Sequence, residues 1–280
     1  MVENKKIDYF GGESDADRWA DVKQRRLDSI TEEGKAFEAR VKDEFPPEEA
    51  ERIEAALDWM IALHASQEDR KKGELSLAHP LAVAAVVERE YDIQDPDLII
   101  AALLHDVVED QPLHLAMDSI YAKYPESREF TEKEIKKRYG QEIRELALVV
   151  IGGKFGDRVA SLVDHLSNPD FNTIAKKGEM AEDRKSRNEV YKEYIAGAIK
   201  DPDVFVVKMA DFLINVVNTG NLSHDDPKKQ KLLSKYGPVI QEVFLPALAT
   251  LDEHHPLYSR KQALRDQLRD VYQKEYEGKY

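Results

Sequence analysis

Apolar residues recur along this chain at three- and four-residue intervals in one segment after another, and that spacing predicts helices throughout. From Asp15 to about Val41, the residues Trp19, Val22, Leu27, Ile30 and Phe37 fall on one helical face. FPPEEAERIEAALDWMIALHASQ predicts a helix that begins at the proline pair, with acids in its first turn where the helix dipole favours them. KKGE breaks that pattern, and HPLAVAAVVEREY predicts a new helix with Pro80 at its first position. Asp95-Pro96-Asp97 opens the next. YPESREFTEKEIKKRYGQEIRELALVVIGG predicts one or two amphipathic helices closed by Gly152-Gly153.

The segment 154–190, with SNPDFNT and the mixed-charge run KKGEMAEDRKSR, is expected to be a long loop or a region of short helices. Its length and polarity would let it close over a substrate. NEVYKEYIAGAIK and DVFVVKMADFLINVVNTG are expected to be helical, the second because its apolar positions continue past the length of a short strand. QKLLSKYGPVIQEVFLPALATLDEH and YSRKQALRDQLRDVYQKEY predict two more helices. The chain shows no sheet-like alternation, no Gly-rich phosphate loop and no internal repeat. The expected fold class is all-α. It is divided into an N-terminal helical extension over 1–45, a core domain over 46–222, and a C-terminal helical extension over 223–280 that packs on the core or on another subunit.

Composition narrows the function classes. With 280 residues, the chain is long enough for a substantial core. It has no cysteine, so disulfides, thiolate metal sites and thiol nucleophiles are excluded within it. The formal net charge of -14 argues against a nucleic-acid partner, which a basic face would serve, but a local basic pocket or a metal can still receive a small anion. No apolar run approaches a membrane span, and the start, MVENKKIDYFGGESDADRW, lacks the apolar core of a signal peptide. The expectation is a soluble cytoplasmic protein with no membrane or nucleic-acid partner.

The stretch AALLHDVVED (Ala101 to Asp110) then stands out, because four ionisable side chains close an apolar segment. On a continuous helix His105, Asp106, Glu109 and Asp110 would crowd one side of the final turns, and the acidic groups would repel one another unless a cation or proton lay between them. The bland reading is an exposed polar corner with a core histidine. His79 before Pro80 in LAHPLAV, and Asp211 inside the apolar run VVKMADFLINVV, shift that balance. Their own bland readings are an N-terminal cap and an ion pair with Lys208. Two imidazoles and two carboxylates suit Mn²⁺, Fe²⁺ or Zn²⁺ with positions left for water and substrate.

This set resembles the HD phosphohydrolase superfamily of all-helical, metal-dependent enzymes, and most closely the hydrolase domain of RelA/SpoT alarmone enzymes and their stand-alone small relatives. That pattern runs roughly RKxGE-x4-HP-x2-VA, AALLHDVVED, VKLAD-x3-N; here it reads RKKGELSLAHPLAVA, AALLHDVVED, VKMADFLIN, covering about residues 50 to 220. The resemblance implies that 46–222 is an HD hydrolase domain. It also implies the metal ligands His79, His105, Asp106 and Asp211, with Mn²⁺ the usual ion and Fe²⁺, Zn²⁺ or Mg²⁺ as alternatives. Glu109 and Asp110 match an acidic pair that orients or deprotonates the attacking water. Arg70 and Lys71 match a pair near the base and ribose-phosphate, and Asn215 an asparagine that meets sugar or phosphate. The implied reaction removes the 3′-pyrophosphate from a guanosine tetra- or pentaphosphate.

Other positions depart from the bifunctional synthetase-hydrolase pattern. Leu75-Ser76 replace Pro-Tyr before the ligand histidine, and Phe212, Ile214 and Val217 stand where DRLHNMRT has two arginines and a histidine. SLVDHLSNPDF carries the Asn-Pro of stand-alone versions in place of Thr-Lys. The residues after Asn221 lack the space and the β pattern of an alarmone synthetase domain. Asp164-His165 and His254-His255 are expected to be surface and loop, and Tyr191 and Tyr194 helix-face packing. Three readings stay open: an alarmone hydrolase, an HD phosphohydrolase of another nucleotide ((p)ppApp, a dNTP or a nucleoside phosphate), and a nucleotide-sensing or antitoxin-like binder. The implied partner is a nucleotide substrate, with self-association left open.

Overall fold

The computed structural model describes residues 32–64, 77–168, 180–223 and 225–276. Among them the regular structure is helical, as the spacing predicts: α1 (Glu32–Glu44), α2 (Pro47–His64), α3 (Ala78–Ala85), α4 (Pro96–Leu104), α5 (Val107–Asp110), α6 (Pro112–Lys123), α7 (Glu132–Phe155), α8 (Asp157–Leu166), α9 (Met180–Ala198), α10 (Pro202–Gly220), α11 (Pro227–Val239), α12 (Leu245–Thr250) and α13 (Lys261–Val271). Among the described residues no helix is long and apolar enough to cross a membrane.

The chain divides into two compact units, one of the residues up to Leu81 with Gln94–Asp164, the other of Ala82–Ile93 with His165–Tyr280. In the first, α2 starts at Pro47 with Glu48 and Glu49 in its first turn, and it packs along α4. Asp95 caps α4 by accepting from the N–H groups of Asp97 (3.0 Å) and Leu98 (3.4 Å), while Pro96 supplies a first position that needs no N–H partner. Every residue of α4 from Leu98 to Leu104 is buried. Arg52 ties the layers, its guanidinium donating to Asp97 Oδ1 at 2.7 Å and to the Phe155 carbonyl at 2.9 Å. The Trp59 and Phe155 rings meet edge-on, centroids 5.0 Å apart. α6 and α7 form an antiparallel pair around Leu113, Ala116, Ile120, Ile135 and Ile143.

The structure refines the expectations for this region. α7 runs through Gly152-Gly153 and stops at Gly156, whose φ of 99° is the left-handed geometry that favours glycine. A kink at Tyr139 (φ −123°, ψ 19°) explains why the segment reads as one helix or two. Of the two alternatives for 154–190, short helices fit its described start: α8 is a ten-residue helix whose Val159, Leu162, Val163 and Leu166 are buried at helical spacing. The residues 169–179 lie outside those described.

In the second unit α10 is central. Asp201 caps it and Pro202 occupies its first turn, so DVFVVKM is helix. Phe205 and Phe212 pack on Phe244 with centroids 5.9 and 4.5 Å away, and Phe212 also meets Tyr236 at 5.5 Å. α9 packs on α11, and α13 on α10 and α12. The tail predicted as two helices holds Pro238 inside α11, and a π-turn over Ile240–Phe244 absorbs the register change before Pro246.

The last turn of α10 is gripped from the C-terminal side. Lys229, 2% exposed, donates to the carbonyls of Gly220 and Leu222 at 3.0 Å each and to Glu275 Oε2 at 3.1 Å. Those carbonyls lack partners within the helix, so the lysine satisfies them as a charged cap. The fully buried Tyr276 directs its hydroxyl at the Val216 carbonyl, 3.4 Å away. Gly220 permits this approach, because a Cβ there would lie 3.1 Å from Glu275 Cγ.

Candidate metal centre

The apolar stretch AALLHDVVED is a helix, a break and a single turn. α4 ends at Leu104, His105 and Asp106 form the turn, and α5 restarts at Val107. The Asp106 backbone sits at φ −92°, ψ −11°, and its carbonyl accepts from the N–H groups of Glu109 (3.1 Å) and Asp110 (2.9 Å). His105 is 2% exposed and the Asp106 side chain 21%, whereas Glu109 and Asp110 are at the surface.

His105 is oriented by its own helix. Nδ1 lies 2.8 Å from the Ala102 carbonyl, a partner that can only accept, so Nδ1 donates there and Nε2 is the nitrogen turned to the site. Nε2 faces Asp106 Oδ1 at 3.2 Å. His79, 4% exposed, brings its Nε2 to 3.8 Å from the other oxygen, Oδ2. The two imidazoles stand edge to face with centroids 5.3 Å apart. His79 lies within the first turn of α3, whose first residue is Ala78, so Pro80 is not at the first position and His79 is no cap.

Two buried imidazoles that share one carboxylate fit a divalent cation. Both nitrogens and both oxygens are donors that such an ion accepts, and the carbonyl on Nδ1 is the usual outer partner of a ligating histidine.

In the second unit, Asp211 lies half-buried on α10 and its Oδ1 accepts from Asn215 Nδ2 at 2.6 Å, one turn on. No ion pair with Lys208 forms: that ammonium lies over the Tyr194 ring, 5.4 Å from its centroid. Arg70 and Lys71 lie outside the described residues. Asp164 is an exposed partner of Arg144 at 2.7 Å, and His254 is exposed, as expected of surface positions. Tyr191 packs under Lys235, and Tyr194 donates from its hydroxyl to the carbonyls of His165 and Ser167. The Ala102 carbonyl and Lys208 escape sequence reasoning, because a backbone acceptor leaves no mark in a motif and a lysine near an aspartate reads as its ion pair.

Among the described residues, an all-helical fold with a His, His-Asp cluster at a helix break defines a class of all-α proteins able to hold a metal. Residues 56–150 match the family model described as HD domain. Among similar proteins, the guanosine-3′,5′-bis(diphosphate) 3′-pyrophosphohydrolase of Aquifex aeolicus is 30% identical over 195 residues, 69% of this chain and 22% of that protein. The bifunctional (p)ppGpp synthase/hydrolase SpoT of Escherichia coli K12 is 26% identical over 212 residues, 75% of this chain and 23% of that protein. The chain thus spans less than a quarter of the length of these curated relatives. A solved structure of a metazoan ortholog of SpoT that hydrolyzes ppGpp aligns with a TM-score of 0.49 and 16% identity, over 80% of this chain and 94% of that one.

Proposed function

We propose that this chain is a metal-dependent hydrolase that removes the 3′-pyrophosphate from guanosine tetra- or pentaphosphate, adding water across the 3′-O–P bond to give GDP or GTP and pyrophosphate. The observation that carries this reading is the centre at the helix break: His105, anchored through Nδ1 on the Ala102 carbonyl, and His79 each face one oxygen of Asp106. It sits in an HD domain whose relatives include proteins named for that reaction.

In this reading His79, His105, Asp106 and Asp211 hold a divalent ion, Mn²⁺ by the resemblance. When bound, such an ion acidifies a coordinated water toward neutral pH and neutralises phosphate charge. Asn215 holds the Asp211 carboxylate in place through its amide. Glu109 and Asp110 are exposed at the end of α5, where a carboxylate can take the proton of an attacking water and pass it to solvent. Arg70 and Lys71 are proposed to meet the base and the ribose-phosphate. A cytoplasmic location belongs to the same reading.

A second reading is favoured by one observation. Phe212 is buried against Phe244 and Tyr236, and Val217 is exposed, so two positions that carry arginine in the bifunctional pattern offer no charge here. A less cationic site suits another nucleotide, such as an adenosine alarmone, a deoxynucleoside triphosphate or a nucleoside phosphate. The test is a panel of guanosine and adenosine alarmones, GTP, dGTP and a simple phosphate ester with Mn²⁺, with products identified by chromatography. Pyrophosphate from a 3′-diphosphorylated nucleotide supports the proposal and names the base. Turnover confined to the other compounds supports the second reading. Binding without turnover of any compound would point to a sensing or antitoxin-like role.

A further inference from the structure

Lys208 precedes Asp211 by three residues and Asn215 by seven on α10, so the three side chains leave the helix on one side. It is 3% exposed. Among the described residues its ammonium makes no hydrogen bond and no ion pair, and its contact is the Tyr194 ring at 5.4 Å. That ring is fixed, because the Tyr194 hydroxyl donates to the His165 carbonyl at 2.7 Å and the Ser167 carbonyl at 2.9 Å. A cation over a ring at this separation recovers only a small part of what an ammonium loses on leaving water. For stability alone, an apolar side chain of similar length would serve the position better.

We infer that Lys208 is an anion-binding residue, taking a phosphate or pyrophosphate group of the substrate on the α10 face it shares with Asp211 and Asn215. A lysine suits that role, since a compact charge with three donors meets phosphate oxygens without the fixed fork of an arginine. Asn215 offers a neutral amide on the same face, so charge and hydrogen bonding come from adjacent turns. The inference deepens the proposed function and rests on it for the substrate class. A packing role makes the opposite forecast, because there the stem of Lys208 against Tyr194 would matter and the charge would not.

The experiment uses the full chain at fixed free Mn²⁺, titrated in a calorimeter with inorganic pyrophosphate and, in parallel, with inorganic phosphate. Loss of a charge-assisted hydrogen bond predicts that Lys208→Met raises the pyrophosphate Kd about tenfold or more. Lys208→Arg retains most of the affinity, and Lys208→Met melts at or above the wild-type temperature. Should Lys208→Met fail to give soluble protein, Lys208→Gln carries the same forecast for affinity. Pyrophosphate affinity unchanged by loss of the charge, or no binding by the wild type, overturns the inference. Earlier melting with unchanged affinity assigns the residue to packing and overturns it equally. A wild type that binds pyrophosphate through Lys208 but releases none from an alarmone leaves the inference standing and removes the proposed substrate. Affinity for phosphate equal to that for pyrophosphate would assign a single phosphate group to the lysine.

Discussion

His105 and Asp106 are chain neighbours on the turn between two helices, and the Nε2 of one faces an oxygen of the other at 3.2 Å. A regular helix would send adjacent side chains roughly 100° apart around its axis, so the break at Leu104 is what lets the pair converge. The Ala102 carbonyl, freed at the end of α4, then accepts from Nδ1 and fixes the ring's orientation.

If these groups ligate a metal, the ion binds the folded chain and not the unfolded one. Mn²⁺ at about one hundred times its Kd should stabilise the protein by about 2.7 kcal/mol. The expected outcome is a melting temperature that rises with Mn²⁺ and falls back with a chelator in the wild type, and that does not respond in Asp106→Ala. An equal response in both would place the ion elsewhere.

Asn215 touches the Asp211 carboxylate and is proposed to act on the metal through it. Asn215→Ala should weaken Mn²⁺ affinity by about 10–100-fold, the usual cost of losing an outer-shell partner of a ligand. Asn215→Asp should do worse, since a second carboxylate would repel the first unless one is protonated. Mn²⁺ titration checks both.

The grip on the last turn of α10 makes a stability prediction. Glu275→Ala leaves the buried Lys229 ammonium with its two carbonyls but without its counter-charge. The expected loss is about 1.5–3 kcal/mol, the range for a hydrogen bond to a charged group, read from urea unfolding. Lys229→Met together with Glu275→Ala should cost less than the two single losses added, because neither variant then leaves an unmatched charge.

His255 predicts a pH dependence. Burial lowers its pKa below the ordinary histidine value of 6.5, against the pull of Asp252 and Asp203, while Leu257 N–H donates to Nδ1 at 3.1 Å and Phe205 packs on the ring. With the folded value depressed, the unfolded chain binds more protons as pH drops below about 6.5, so stability present above that pH is lost on acidification. His255→Phe should flatten the fall in melting temperature between pH 7 and 5 relative to the wild type. An unchanged slope would remove His255 as its cause.

The helices were legible wherever the three-and-four spacing ran without interruption, as in Pro47–His64 and Pro202–Gly220. α8 was readable too, since Val159, Leu162, Val163 and Leu166 mark its buried face, but the polar residues around it masked the period. The break at His105 was not readable. AALLHDVVED continues a helical pattern on both sides, and no residue within it marks the interruption. The candidate ligands were named through the resemblance of their motifs, whereas the anchoring of His105 and the setting of Lys208 depend on contacts that no spacing encodes.

The most direct test of the account is pyrophosphate release from guanosine 3′-diphosphate 5′-diphosphate by wild type and Asp106→Ala, each with Mn²⁺ and with chelator. The account predicts release by the wild type with Mn²⁺ alone, with the other three conditions at background. Release that persists in Asp106→Ala, or in the wild type stripped of metal, would contradict it.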